Sequence, residues 1–122
     1  MAQLSVFVTT FNNASTLDAC LRAVSWADEV VVLDSYSSDE TCEIATRHGC
    51  ELYQHEFLGY GPQKQMALDK TSHDWVLLLD ADEVVSEALA EEIQQTLTTE
   101  VATEFLLTGL LIILLLWFVL WC

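Results

Sequence analysis

Asp80-Ala81-Asp82 sets two carboxylates two residues apart, directly after the apolar run Trp75-Val76-Leu77-Leu78-Leu79. At the end of a strand, oxygen ligands at that spacing can converge on one hard cation, and Mg2+ or Mn2+ suits them. Such an ion also bridges phosphate oxygens. Most isolated triplets of this kind are the solvated acidic turn of a strand exit. Asp34 closes a second apolar run, Glu29-Val30-Val31-Val32-Leu33. There it can accept hydrogen bonds from a sugar hydroxyl or a base N–H, or cap the helix that follows. Thr9, Thr10 and Asn12 place polar groups at the end of a first apolar run, where they also serve as turn formers. Lys64 is a partner for phosphate or carboxylate, or an exposed helix charge. His48, His55 and His73 fall in no catalytic pattern and read as surface or packing residues.

The elements that must carry these groups alternate. Leu4 to Val8 predicts a strand and Thr9 to Asn13 a loop. Ser15 and Asp18, in capping order, precede Leu17, Leu21 and Val24 at helical spacing. Glu29 to Asp34 reads as a strand buried on both faces. Ser37, Ser38 and Asp39 offer N-cap oxygens to a helix over Thr41 to His48, and Gly49 stops it. A strand at Glu51 to Gln54 leads through Gly59-Tyr60-Gly61-Pro62 into a helix past Lys64 to about Lys70. The most apolar strand, Trp75 to Leu79, precedes a helix capped by Ser86 and running through Leu89, Ile93 and Leu97. This β-α-β-α-β-α-β-α order implies a mostly parallel, Rossmann-like α/β sheet with right-handed crossovers. Ligands in such sheets sit at the carboxyl ends of strands, where the strand order reverses.

The chain has 122 residues, with 19 acidic and 4 basic side chains and a net charge of −15. With Arg22, Arg47, Lys64 and Lys70 as the only cations, no basic stripe exists to neutralise a phosphate backbone, so nucleic-acid binding is excluded. An anionic ligand of any kind needs local compensation. Cys20, Cys42, Cys50 and Cys122 form no CxxC pair, and the body reads as reduced and cytoplasmic. Residues 105–122, FLLTGLLIILLLWFVLWC, carry no charged side chain. As a helix they would measure about 27 Å, near the roughly 30 Å of a bilayer core. The expectation is a body over 1–98, a linker over 99–104 and a membrane-spanning helix over 105–122. The body then faces the cytoplasm from a bacterial inner membrane. A buried core helix is the alternative, but a helix apolar all round is hard to cover with so small a body.

Three stretches in order, VTTFNNASTLDACLRAVSWADEVVVLDSYSSDET, GYGPQKQMALDK and DWVLLLDADE, resemble the inverting family 2 glycosyltransferases. Among these the chain is similar to bacterial lipopolysaccharide core glycosyltransferases from about Leu4 to Leu97. The resemblance implies a GT-A fold and a nucleotide-sugar donor, with a uridine diphosphate sugar favoured, and a glycan or lipid-linked acceptor. It implies that Thr9, Phe11 and Asn12 line the nucleotide, that Asp34 contacts the base, and that Lys64 lies in a helix closing over the nucleoside. Asp80 matches the ribose- or metal-side aspartate and Asp82 the direct ligand of a divalent metal that neutralises the departing diphosphate. Asn13 stands where many relatives carry an acidic residue, and Tyr36 where they carry a small one.

Relatives continue for another hundred residues or more, supplying an acceptor groove and a catalytic base. The expectation here is therefore a donor-binding half, with no residue matched to the base. A membrane-anchored nucleotide-sugar-binding module without turnover is the second reading. A third takes LLLDADEVV as the nucleophile motif of haloacid-dehalogenase-like phosphatases, although that motif belongs on a first strand with a downstream lysine.

Overall fold

The computed structural model describes residues 2–98. Its elements are β1 (Leu4–Thr10), α1 (Ala14–Arg22), β2 (Glu29–Asp34), α2 (Thr41–Arg47), β3 (Glu51–Gln54), α3 (Tyr60–Asp69), β4 (Trp75–Asp80) and α4 (Glu87–Thr98). The strands form one sheet in the order β3-β2-β1-β4, and all three pairings are parallel. From β1 the chain steps outward to β2 and β3. It then returns through α3 to β4 on the other side of β1, so the order reverses between β1 and β4. The expected linker at 99–104 and membrane helix at 105–122 lie outside the described residues. Among the described helices none is long and apolar enough to cross a membrane.

Strand alternation divides the core in two. Leu4, Val6, Val8, Val32, Leu77 and Leu79 face α1, α2 and α4, which contribute Leu17, Leu21, Ile44, Leu89, Ile93 and Leu97. Phe7, Val31, Leu33 and Val76 turn to the opposite face and meet Ala67 of α3. Full burial of each such aliphatic side chain is worth about 1.5–3 kcal/mol. The described residues place 18 buried side chains in the first cluster and five in the second, so α3 packs over the smaller of the two.

The structure corrects several local expectations. Thr9 and Thr10 belong to β1 rather than to a loop, because they pair in register with Leu33 and Asp34 of β2. The Ser15-Asp18 cap does not form: α1 starts at Ala14 behind Asn13, whose side chain makes no cap bond. Asn13 Oδ1 accepts instead from the Phe11 N–H (2.7 Å), and Asp39 of the next loop accepts from the Ala14 N–H (3.2 Å). At α2, Asp39 accepts from the Thr41 N–H (3.0 Å), while Ser37 and Ser38 turn towards Asp34 and Asn12. Ser86 does cap α4, accepting the Leu89 N–H at 3.1 Å. Gly49 takes φ +73°, the left-handed stop expected after α2.

Candidate functional site

The carboxyl ends of β1, β2 and β4 open into a cavity of about 580 Å3 at the reversal of strand order. Thr9, Thr10 and Phe11 from β1 and its exit line it, with Ser35 after β2, Phe57, Tyr60, Gln63 and Lys64 around the start of α3, and Asp80, Ala81 and Asp82 after β4. Topology therefore brings together six of the residues marked in the sequence: Thr9, Thr10, Phe11, Lys64, Asp80 and Asp82. It does not bring Asn12 or Asp34 to the wall.

The Asp80 to Glu83 turn is pinned through its backbone. The Asp80 N–H donates to Glu83 Oε1 (2.9 Å), the Glu83 N–H donates to the Asp80 carbonyl (3.0 Å), and the Cys20 thiol reaches that carbonyl at 3.8 Å. The buried Ala81 anchors the turn to the core, while the Asp80 and Asp82 side chains stay exposed. Burial, followed by the charges of Asp80 and Asp82, raises the Glu83 carboxyl. Among the described residues no group of three or more His, Cys, Asp or Glu is placed to hold a metal by protein ligands alone. Two exposed carboxylates beside the cavity nevertheless fit Mg2+ or Mn2+, which take one or two carboxylates and complete their shell with phosphate and water oxygens.

Asp34 is fully buried beneath the loops. Thr10 Oγ1 (2.7 Å), the Ser37 N–H (2.8 Å), the Ser37 hydroxyl, the Cys42 thiol (3.2 Å) and Gln54 Nε2 (3.3 Å) all donate to it. Burial alone would raise its pKa, but the bonds from Ser37, Thr10 and Cys42 outweigh burial and hold the carboxyl below the ordinary range. The direct base contact implied by the resemblance finds no free carboxylate face here. Asn12 joins two loops: its N–H donates to Ser37 Oγ and its Oδ1 accepts the Ser38 N–H, both at 2.8 Å.

Sequence reasoning passes over Ser35 and Gln63. Gln63 is buried, its Nε2 donating to Ser35 Oγ (3.0 Å) and its Oε1 accepting the Leu58 N–H (3.4 Å), so it ties α3 to the β2 exit. The alternation signal is present, since with Asp34 on the face packed by α1, α2 and α4 its neighbour Ser35 turns to the α3 side, where the cavity lies. Phe57 and Tyr60 form an edge-to-face pair (5.2 Å between ring centres) on the rim, and Tyr60 is 78% exposed.

The model of the family described as glycosyl transferase family 2 matches residues 5–103. The chain belongs to that family. A protein named uncharacterized glycosyltransferase from Rickettsia felis is 38% identical over 95 residues, covering 77% of this chain and 34% of the relative. The lipopolysaccharide core biosynthesis glycosyltransferase LpsC of Rhizobium meliloti is 31% identical over 99 residues, covering 77% of this chain and 37% of that one. The family 2 chain thus spans about a third of the length of these relatives.

Among solved structures, residues 1–349 of TarS of S. aureus superpose with a TM-score of 0.67 at 25% identity, covering 76% of this chain and 31% of that one. Glucosyl-3-phosphoglycerate synthase from Mycobacterium tuberculosis, in complex with Mn2+, uridine diphosphate and glucosyl-3-phosphoglycerate, gives 0.66 at 25% identity, covering 81% and 41%. The family 2 match also overturns the phosphatase reading of Asp80 as a nucleophile.

Proposed function

We propose that this family 2 chain forms the donor side of a glycosyl transfer, in which a sugar passes from a nucleotide-sugar to a cell-envelope glycan or lipopolysaccharide acceptor. One observation carries the reading: the cavity at the strand reversal holds Thr9, Phe11 and Lys64 together with the Asp80–Asp82 pair. Phe11 offers an apolar face to a nucleoside, Thr9 a hydroxyl, and Lys64 a cation to the diphosphate. Asp80 and Asp82 would hold a divalent metal, which when bound supplies Lewis-acid neutralisation of a leaving diphosphate. Asp34 and Asn12 serve the site from behind, through the loops they join.

The neighbour that binds uridine diphosphate with Mn2+, and its counterpart with Mg2+, support a uridine nucleotide and a divalent ion. LpsC supports an envelope acceptor. In this reading the apolar segment 105–122 attaches the body to the cytoplasmic side of a bacterial inner membrane. No described residue is assigned as the base that deprotonates the acceptor.

Calorimetric titration of the full chain with uridine diphosphate, with and without Mn2+, tests the proposal. Metal-dependent binding is expected. Absence of binding to a chain shown by circular dichroism to be folded would overturn it. Transfer from labelled nucleotide-sugars to lipid acceptors separates turnover from binding alone.

A further inference from the structure

Phe11 is the apolar side chain that β1 delivers to the cavity, yet it is 60% exposed and belongs to neither buried cluster. Packing does not hold it, so its backbone neighbours must. Thr10, on one side, donates through Oγ1 to Asp34 at 2.7 Å. Asn12, on the other, sits at φ +51°, a left-handed conformation that asparagine tolerates better than most residues and that its hydrogen bonds hold in place.

The enforcement is visible. An ionised carboxylate only accepts hydrogen bonds, so the Ser37 hydroxyl must spend its proton on Asp34 and turn its lone pairs outward. Those lone pairs take the Asn12 N–H at 2.8 Å. Asn12 Oδ1 then accepts the Ser38 N–H at 2.8 Å, and the Phe11 N–H is held by Asn13 Oδ1 at 2.7 Å.

We propose that Asp34 is a positioning residue: its buried carboxylate orients the Ser37 hydroxyl, which locks Asn12 and so holds Phe11 in the cavity wall. The relay itself needs no nucleotide. Its consequence for binding rests on the donor-site reading.

The test labels the full chain with 4-fluorophenylalanine and follows the fluorine resonance of residue 11 without nucleotide. With five phenylalanines in the chain, a Phe11→Leu variant assigns the line. Asp34→Asn and Ser37→Ala are each expected to shift or broaden that line. Should Asp34→Asn fail to fold, Ser37→Ala decides, because it keeps the carboxylate and removes only the link. An unmoved Phe11 line in folded Ser37→Ala overturns the proposal.

If the parent chain binds uridine diphosphate, Ser37→Ala should weaken binding about ten-fold, the effect of one effective hydrogen bond. Unchanged affinity in Ser37→Ala, with the parent chain binding, overturns the relay's role in binding. A parent chain that binds no nucleotide but shows the fluorine shifts refutes the donor reading and leaves the relay standing.

Discussion

Thr9 and Asp80 are register partners at the final rung of the β1–β4 ladder. That pairing sets a hydroxyl beside a carboxylate at the mouth of the cavity, and the turn that follows carries Asp82 to the same rim. The exposed carboxylates contribute little to the core, so substitution at this position should spare folding.

Asp82→Ala is expected to abolish the Mn2+-dependent part of uridine diphosphate binding while shifting the urea midpoint very little, since exposed substitutions usually stay within about 0.5 kcal/mol. Titration calorimetry and denaturation on the same preparation check both halves. Unchanged affinity would remove Asp82 from the metal role.

The pH dependence follows from Asp34. Its pKa in the folded chain lies below the ordinary 3.8, so the unfolded chain binds more protons between the two values. Stability from this group is complete above the ordinary value and is lost as pH falls through the folded one. Asp39, held down by the Thr41 hydroxyl, and Glu29, where burial is outweighed by bonds from Ser72 and Ser5, act in the same direction. The urea midpoint should fall steeply only below about pH 4. Asp34→Asn should flatten that fall, and a midpoint unaffected at pH 3 would contradict the assignment.

Thiol chemistry offers an independent probe of the same packing. Burial, then the charges of Glu83 and Asp82, pushes the Cys20 thiol up to about 12. Cys50, by burial, and Cys42, by burial and then its bond to Asp34, rise to about 11. All three are protonated at pH 8, and thiolate is the reactive form. Iodoacetamide labelling read by mass spectrometry should therefore be slow at these positions in the native chain and fast in urea.

Gly59 enters α3 at φ +105°, ψ 160°, a conformation that only glycine adopts readily. A Cβ there would meet Pro62 Cδ at an ordinary 3.7 Å, so the penalty is backbone strain rather than a clash. Gly59→Ala should cost about 1–3 kcal/mol in urea denaturation. It should also weaken nucleotide binding, because Tyr60, Gln63 and Lys64 take their places from this turn.

Periodicity and chemistry were enough to locate the strands and the cavity. Buried strands ending in Asp34 and Asp80 mark the carboxyl edge of a parallel sheet, and the topology rule then points to that edge. Side-chain competition is what local patterns do not show. Ser15 resembles a helix cap, yet the start of α1 is arranged by Asp39 and Thr41, more than 20 residues away. Asp34 has the chemistry of a ligand contact, but alternation turns it inward to five donors. Gln63 is read as an ordinary helix residue because nothing local marks it as the tie to Ser35.

The lopsided core makes the cavity mechanically uneven. Its β1 and β4 wall is backed by the larger cluster and moves only at the cost of many contacts, whereas the α3 wall buries just Gln63 and Ala67. In the proposed donor site a ligand is therefore expected to be accommodated by yielding of α3, with its lysine, against the carboxylate rim. Amide hydrogens of α3 should exchange well before those of β1, and a bound diphosphate should slow α3 most.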